Sequence, residues 1–154
     1  MTAAERELTI VRVLDAPREL VFRAWTDPEH LAAWFGPRGC TTPRSTVAAD
    51  VRPGGTWRAT MIREDTGAEL PTGGFYIEVR EPERLVFTWR DPGGSGEESV
   101  VTVALADLGG RTEMTFHQAG FSSDGYRAGV HEGWSSSFDR LAEQLTDNPR
   151  RTRP

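Results

Sequence analysis

The sequence contains no lysine; all 18 of its basic residues are arginine. That excludes every mechanism that needs a side-chain amine. A P-loop Lys, a Schiff-base Lys and a Ser–Lys dyad all lack the residue that would supply them. Cysteine is nearly absent as well. The single Cys40 cannot form an internal disulfide, which fits a reducing cytoplasm. No apolar run approaches the ~18 residues of a membrane-spanning helix, so no membrane insertion is expected. The opening stretch from Met1 to Val11 is charged and lacks an apolar core, so no secretory signal is expected. A net charge of −5, with a pI of about 5.2, argues against a nucleic-acid partner. The three histidines are His30, His117 and His131. No two stand at i, i+4, and neither HExxH nor CxxC occurs, so no metal and no other cofactor is expected. No GxSxG is present either.

What is there suffices for one folded domain. The chain has 154 residues, 37% hydrophobic and 27% charged, with five Trp. That length builds a single core and is short for two. The expected domain spans 1–154, with its core at about 8–146 and a flexible tail over 147–154. The cluster Arg150, Arg151 and Arg153 falls in that tail.

Periodicity divides the chain in three. Glu7 to Leu14 is rich in Ile, Val and Leu and reads as a strand. Asp15-Ala16-Pro17 opens a helix carrying Leu20, Val21, Ala24 and Trp25. Asp27 caps a second, short helix with Pro28 at its first position, and Leu31, Trp34 and Phe35 make its apolar face before Gly36-Pro37 ends it. Strands follow at Thr46–Val51, around Trp57–Ile62, and at Gly74–Arg80, Leu85–Arg90, Ser99–Ala106 and Thr112–Gln118. Their short connections, including a Gly-rich turn at Pro92–Gly96, favour antiparallel hairpins. A long helix closes the chain, roughly Tyr126 to Leu145. Val130, Trp134, Phe138, Leu141 and Leu145 form its apolar stripe, while His131, Glu132, Ser135, Asp139, Arg140 and Glu143 lie off it. Gly129 and Gly133 cost that helix about 1 kcal/mol each relative to Ala. Their return is either close approach to another surface or space beside the helix. The order implies an α+β helix-grip fold: a curved antiparallel sheet of about seven strands wrapped around a long C-terminal helix, with two short helices after the first strand. Such a fold leaves a cavity between sheet and helix, whose default use is an apolar ligand.

The stretch from Val21 to Pro37, VFRAWTDPEHLAAWFGP, resembles the opening helices of the SRPBCC (START-like) superfamily, and more narrowly the branch related to the activator of Hsp90 ATPase. Three further stretches agree: Arg52 to Trp57 (RPGGTW), Glu81 to Trp89 (EPERLVFTW), and Gly133-Trp134 followed by Phe138 and Leu141. The resemblance covers about Leu8 to Leu145. Because the matching residues are turns, caps and core aromatics, they specify the shell and leave the cargo open. The resemblance implies a range of roles: binding of lipids, sterols or polyketides, cyclisation of polyketides, binding of a chaperone, or self-sacrificing resistance to an enediyne antibiotic. It brings no fixed catalytic set.

Several residues have two readings. The five Trp are either core, each indole N–H finding a partner, or in part the lining of a ligand cavity. Met61 and Met114 fit both. Cys40, in the loop Gly36–Pro43, is an inert small residue unless an electropositive, exposed setting activates it. In Phe75-Tyr76-Ile77-Glu78-Val79, the plain expectation turns Phe75, Ile77 and Val79 inward. The reverse parity would bury Tyr76 and Glu78, and a buried Glu is an acid–base candidate. His117 shares a strand face with Glu113 and Thr115. It is either a surface residue or a pocket acid–base group. The leading expectation is a non-catalytic cytoplasmic protein, monomer or homodimer, that binds a small hydrophobic or aromatic molecule. The candidate lining residues are Trp34, Trp57, Met61, Phe75, Trp89, Met114, Trp134 and Phe138, with Tyr76, Glu78 and His117 as possible polar groups and no catalytic residue assigned. The alternatives are a polyketide cyclase or dehydratase pairing His117 with Glu78 or Tyr76, an interaction module for an Hsp90-type chaperone, and an antibiotic self-resistance binding protein.

Overall fold

The computed structural model describes residues 7–90, 98–121 and 124–147. The Gly-rich turn expected at Pro92–Gly96 lies outside the described residues. So does the expected tail, apart from Asp147, which closes the last helix. Strand β1 (Glu7–Leu14) leads into helices α1 (Arg18–Thr26) and α2 (Pro28–Trp34). Seven strands follow: β2 (Cys40–Thr41), β3 (Ala48–Ala49), β4 (Thr56–Arg63), β5 (Glu69–Arg80), β6 (Arg84–Arg90), β7 (Glu98–Asp107) and β8 (Thr112–Ala119). Helix α3 (Asp124–Asp147) completes the chain. The antiparallel sheet runs β1-β8-β7-β6-β5-β4-β2, with β3 paired to β4, and it curves around α3 as a helix-grip fold. Among the described residues, no helix is long and apolar enough to cross a membrane.

Local chemistry accounts for the helix ends. Asp27 Oδ1 accepts a hydrogen bond from the Glu29 backbone N–H at 2.9 Å, and Pro28 occupies the first turn, where no N–H is needed. The Thr26 hydroxyl donates back to the Phe22 carbonyl at 2.9 Å as α1 closes. The strand expected at Thr46–Val51 is not continuous. Arg44–Thr46 forms a 3₁₀ turn, and only Ala48–Ala49 pairs with β4. The Thr46 hydroxyl explains the difference. It donates to the Pro43 carbonyl at 2.7 Å and accepts from the Thr60 N–H at 3.2 Å, holding the backbone in a turn that a ladder would undo.

β5 is longer than expected, because its first half is a strand despite Pro71. Residues 69–75 pair with β4, whereas 76–80 pair with β6. The proline therefore needs a partner on one side only. The chain passes from one half-sheet to the other at Gly73-Gly74, and a register shift follows between Tyr76 and Glu78. A Cβ on Gly74 would stand 2.1 Å from the Thr88 carbonyl oxygen, and one on Gly73 would stand 2.5 Å from that of Trp57. Three strands converge here too closely for any side chain. The same site is fastened by the Trp57 indole, which donates to the Thr88 carbonyl at 3.0 Å, and by the Thr88 hydroxyl, which accepts from the Phe75 N–H at 3.0 Å.

Within the curve lies an aromatic core centred on Trp25. Its ring stands edge-on to Trp34 at 4.9 Å and lies about 6 Å from Phe87, Phe116, Trp134 and Phe138. α3 is tied to β1 at its other flank, where Arg12 donates to the Ser135 carbonyl at 3.0 Å and pairs with Asp139 at 2.9 Å. Gly74→Ala is expected to cost about 3 kcal/mol, the upper part of the overpacking range, because the obstructing atoms are backbone. Urea denaturation of the variant against the parent measures it.

Candidate functional site

One face of α3 carries Gly125, Gly129 and Gly133 at i, i+4 and i+8. A Cβ built on any of the three meets no atom within 4 Å. Between the two possible returns for helix glycines the structure therefore selects space. Beside this face lies a cavity of about 420 Å³, within the ~300–1,000 Å³ range of small-molecule sites. The three glycines, Val130, Trp134 and Ser137 form its helical wall. Phe35, Gly36 and Pro37 form a second wall, with Met61 of β4 and Trp89 of β6 as the floor. Gly125 and Gly129 are exposed at its mouth.

Each wall is held by contacts behind it. The Trp134 indole donates to Gln118 Oε1 at 2.8 Å, and Gln118 Nε2 donates to Ser99 Oγ at 2.6 Å. All three residues are buried, and the relay fixes the Trp134 ring against β8 and β7. The Phe35–Pro37 wall is clamped from α3. The Arg140 guanidinium donates to the carbonyls of Gly36 at 2.7 Å, Ala33 at 3.2 Å and Cys40 at 3.3 Å. Its burial, with Arg38 nearby, lowers its proton affinity below that of an ordinary Arg. Ser136 Oγ accepts from the Arg38 N–H at 2.9 Å, and the Arg38 side chain pairs with Glu143. Gly36 itself has φ +100°, and a Cβ there would come 3.1 Å from Met61 Sδ. Only glycine permits both that backbone and that contact.

The structure brings three of the eight candidate lining residues to this cavity: Met61, Trp89 and Trp134. Trp34, Met114 and Phe138 are fully buried in the aromatic core. Trp34 donates to the Ala24 carbonyl at 2.9 Å, and Met114 Sδ accepts the Trp25 indole N–H at 3.4 Å. Trp57 lines a separate inner cavity of about 10 Å³, together with Tyr76 and Phe87. The Trp89 indole N–H has no hydrogen-bond partner among the described residues.

Phase in β5 is opposite to the plain expectation at Phe75 and Ile77, whereas Val79, past the register shift, packs against the core as expected. Phe75 is 44% exposed and Ile77 is exposed with it, while Tyr76 is 3% exposed. The inward row of β5 is Thr72, Gly74 and Tyr76, and the register shift between Tyr76 and Glu78 ends it. Burial pushes the Tyr76 phenol well above its ordinary pKa, with the Asp50 charge adding to the effect. Glu78 does not join it inside. It sits on the surface with Arg84 at 3.0 Å and Arg80 at 3.5 Å, and the Arg84 hydrogen bond holds its carboxyl below the usual range. His117 is on the outer face of β8, paired with Glu7. Neither Tyr76 nor Glu78 faces it, so the acid–base pairing that a cyclase reading requires is not assembled. Cys40 accepts at its carbonyl from Arg140 and is half-buried. Among the described residues, no three His, Cys, Asp or Glu side chains converge as metal ligands would.

Sequence reasoning missed Phe35, Gly36, Pro37, Gly125, Val130 and Ser137 as lining residues, and Gln118 and Arg140 behind the walls. Gln118 was legible in principle. It continues the inward row Thr112, Met114, Phe116, and a glutamine there demands buried partners.

A curved sheet gripping a long helix over an apolar chamber defines a helix-grip protein. The chain belongs to the activator of Hsp90 ATPase homolog 1-like protein family, whose model matches residues 15–146. Solved structures agree. Protein CV1439 from Chromobacterium violaceum is 30% identical with a TM-score of 0.81, covering 90% of this chain and 96% of that one. Protein NE0264 from Nitrosomonas europaea is 29% identical with a TM-score of 0.78, covering 96% and 98%. The AHSA1 (SPO3351) protein from Silicibacter pomeroyi is 26% identical with a TM-score of 0.80, covering 91% and 97%. No curated protein matches the sequence.

Gly133→Ala is expected to raise stability by about 1 kcal/mol, since helix propensity improves and the new methyl meets nothing. Thermal and urea melts measure this. Tyr76 gives a pH signature. The native state holds its phenol neutral, whereas the unfolded chain ionises near pH ~10. The associated stability is present below that pH and is lost as pH rises above it. Urea midpoints followed up through pH ~10 should fall for the parent and fall less for Tyr76→Phe.

Proposed function

We propose that the protein binds a small, uncharged, hydrophobic molecule with aromatic rings in the cavity beside α3, and does not transform it. The carrying observation is the row Gly125, Gly129 and Gly133, which meets nothing within 4 Å. A helix optimised for stability would hold Ala or larger residues there. The two interior glycines, Gly129 and Gly133, cost it about 2 kcal/mol in propensity and leave a chamber. That cost is offset where the chamber has a use.

The lining chemistry supports the guest's class. Among the described residues, none that lines the cavity is ionisable, so none of them would neutralise a charged guest. Trp89 and Trp134 offer flat rings, and Met61 offers an adaptable surface. Among the described residues, Ser137 supplies the hydroxyl of the lining. A guest with one polar substituent on an aromatic body matches this set. Affinity would come from apolar area removed from water, about 25 cal/mol per Å² before ordering costs. The single thiol, and the absence of a membrane-crossing helix among the described residues, fit a cytoplasmic setting.

The test is a fluorescence titration with N-phenyl-1-naphthylamine, a neutral aromatic probe. The parent should give saturable, blue-shifted emission. Gly133→Leu, which projects a side chain into the chamber, should weaken binding at least tenfold while its melting temperature holds or rises. Saturable binding that Gly133→Leu leaves unchanged would place the probe elsewhere and overturn this assignment.

A further inference from the structure

Among the described residues, Phe35 alone lines both the outer cavity and the inner one. Its ring stands edge-on to Trp134, an outer-cavity wall, at 5.8 Å and 81°. It stands edge-on to Trp57, an inner-cavity wall, at 6.0 Å and 73°. Beyond it the inner space is walled by Trp25, Leu31, Trp57, Tyr76, Leu85 and Phe87, and its volume of about 10 Å³ is near that of a single water-sized probe. Phe35 therefore separates a chamber open to a guest from a packing defect deeper in the core.

We propose that the Phe35 side chain is the partition that sets the length of guest this protein accepts, and that displacing or trimming it joins the two cavities into one longer channel toward Tyr76. The inference rests on the outer cavity being a binding site, as proposed above, and adds which residue limits the guest.

The backbone at Phe35 makes such a change local. Its N–H donates to the Leu31 carbonyl at 2.8 Å, and its carbonyl accepts the Thr42 hydroxyl at 2.8 Å. Arg140 holds the carbonyls of Ala33 and Gly36 on either side. The main chain is fixed by groups other than the ring, so trimming the ring opens space without releasing the wall. The residue that follows, Gly36, carries no side chain to fill the gap. At the far end Tyr76 presents a phenol whose burial keeps it neutral, so a longer guest meets an uncharged hydrogen-bonding group there.

The test compares two neutral probes of different length, N-phenyl-1-naphthylamine and the longer rod 1,6-diphenyl-1,3,5-hexatriene, on the parent, Phe35→Leu and Phe35→Ala. The parent should bind the short probe and discriminate against the rod. Phe35→Ala should shift the preference for the rod over the short probe at least tenfold, with Phe35→Leu between it and the parent. A parent that binds neither probe defeats the binding-site reading itself. A parent that binds the short probe, with variants whose length preference is unchanged, leaves that reading standing and defeats the partition. Loss of the folded state in both variants, seen by circular dichroism, also defeats it, since the ring would then be indispensable core.

Discussion

The hydrogen bond from the Trp134 indole to Gln118 sets where α3 stands above the sheet. Trp134 is the large side chain through which the helix meets β8, and Gln118 is buried with its amide tied to Ser99 on β7. In a dry interior such a relay is costly to break, because each released group would be left unpaired. On the neighbouring face, at Gly129 and Gly133, the helix presents glycine where it would otherwise present bulk. A helix held off the sheet by Trp134 and bare on the neighbouring face must leave a hollow. The chamber follows from that pairing of a fixed spacer with absent side chains.

The second wall depends on charge placed for a structural purpose. Arg140 donates to three backbone carbonyls around the α2 exit: that of Ala33, in the last turn that a helix leaves without partners, and those of Gly36 and Cys40 beyond it. A cation among C-terminal carbonyls also meets the negative end of α2. With Ser136 and Glu143, it makes one side of α3 a rail for the segment carrying Phe35, Gly36 and Pro37. Helix α3 thus contributes one wall directly and positions the other.

How much of this the sequence disclosed depended on distance along the chain. β1 and the Asp27–Pro28 start of α2 were legible because their causes are local: apolar composition in one case, a capping carboxylate and a proline in the other. The wrap of sheet around helix was legible from element order and from the motifs shared with the family. The face of β5 was not, because Phe75-Tyr76-Ile77-Glu78-Val79 offers a plausible apolar row in one parity, and the close packing of Gly74 on Thr88 of another strand is a contact that alternation cannot encode. The site was half legible. Gly129 and Gly133 announced either a close approach or a hollow, and only the position of α3 over the sheet decided which. Trp34, Met114 and Phe138 were chosen for size and chemistry, and those same properties place them in the centre of the core.

The tryptophans have an optical consequence. Trp34 lies 4.9 Å from Trp25, Trp25 lies 5.9 Å from Trp134, and Trp134 lies 6.4 Å from Trp89. Indoles this near exchange excitation far faster than they emit. Four chromophores therefore act as one antenna that starts in the deepest part of the core and ends on the two rings bordering the chamber. Ultraviolet light absorbed at Trp34 or Trp25 can be emitted from the edge of the hollow, and a group there that absorbs near the indole emission, or quenches it, would act on the whole array. The molecule carries a built-in optical reporter of its own contents.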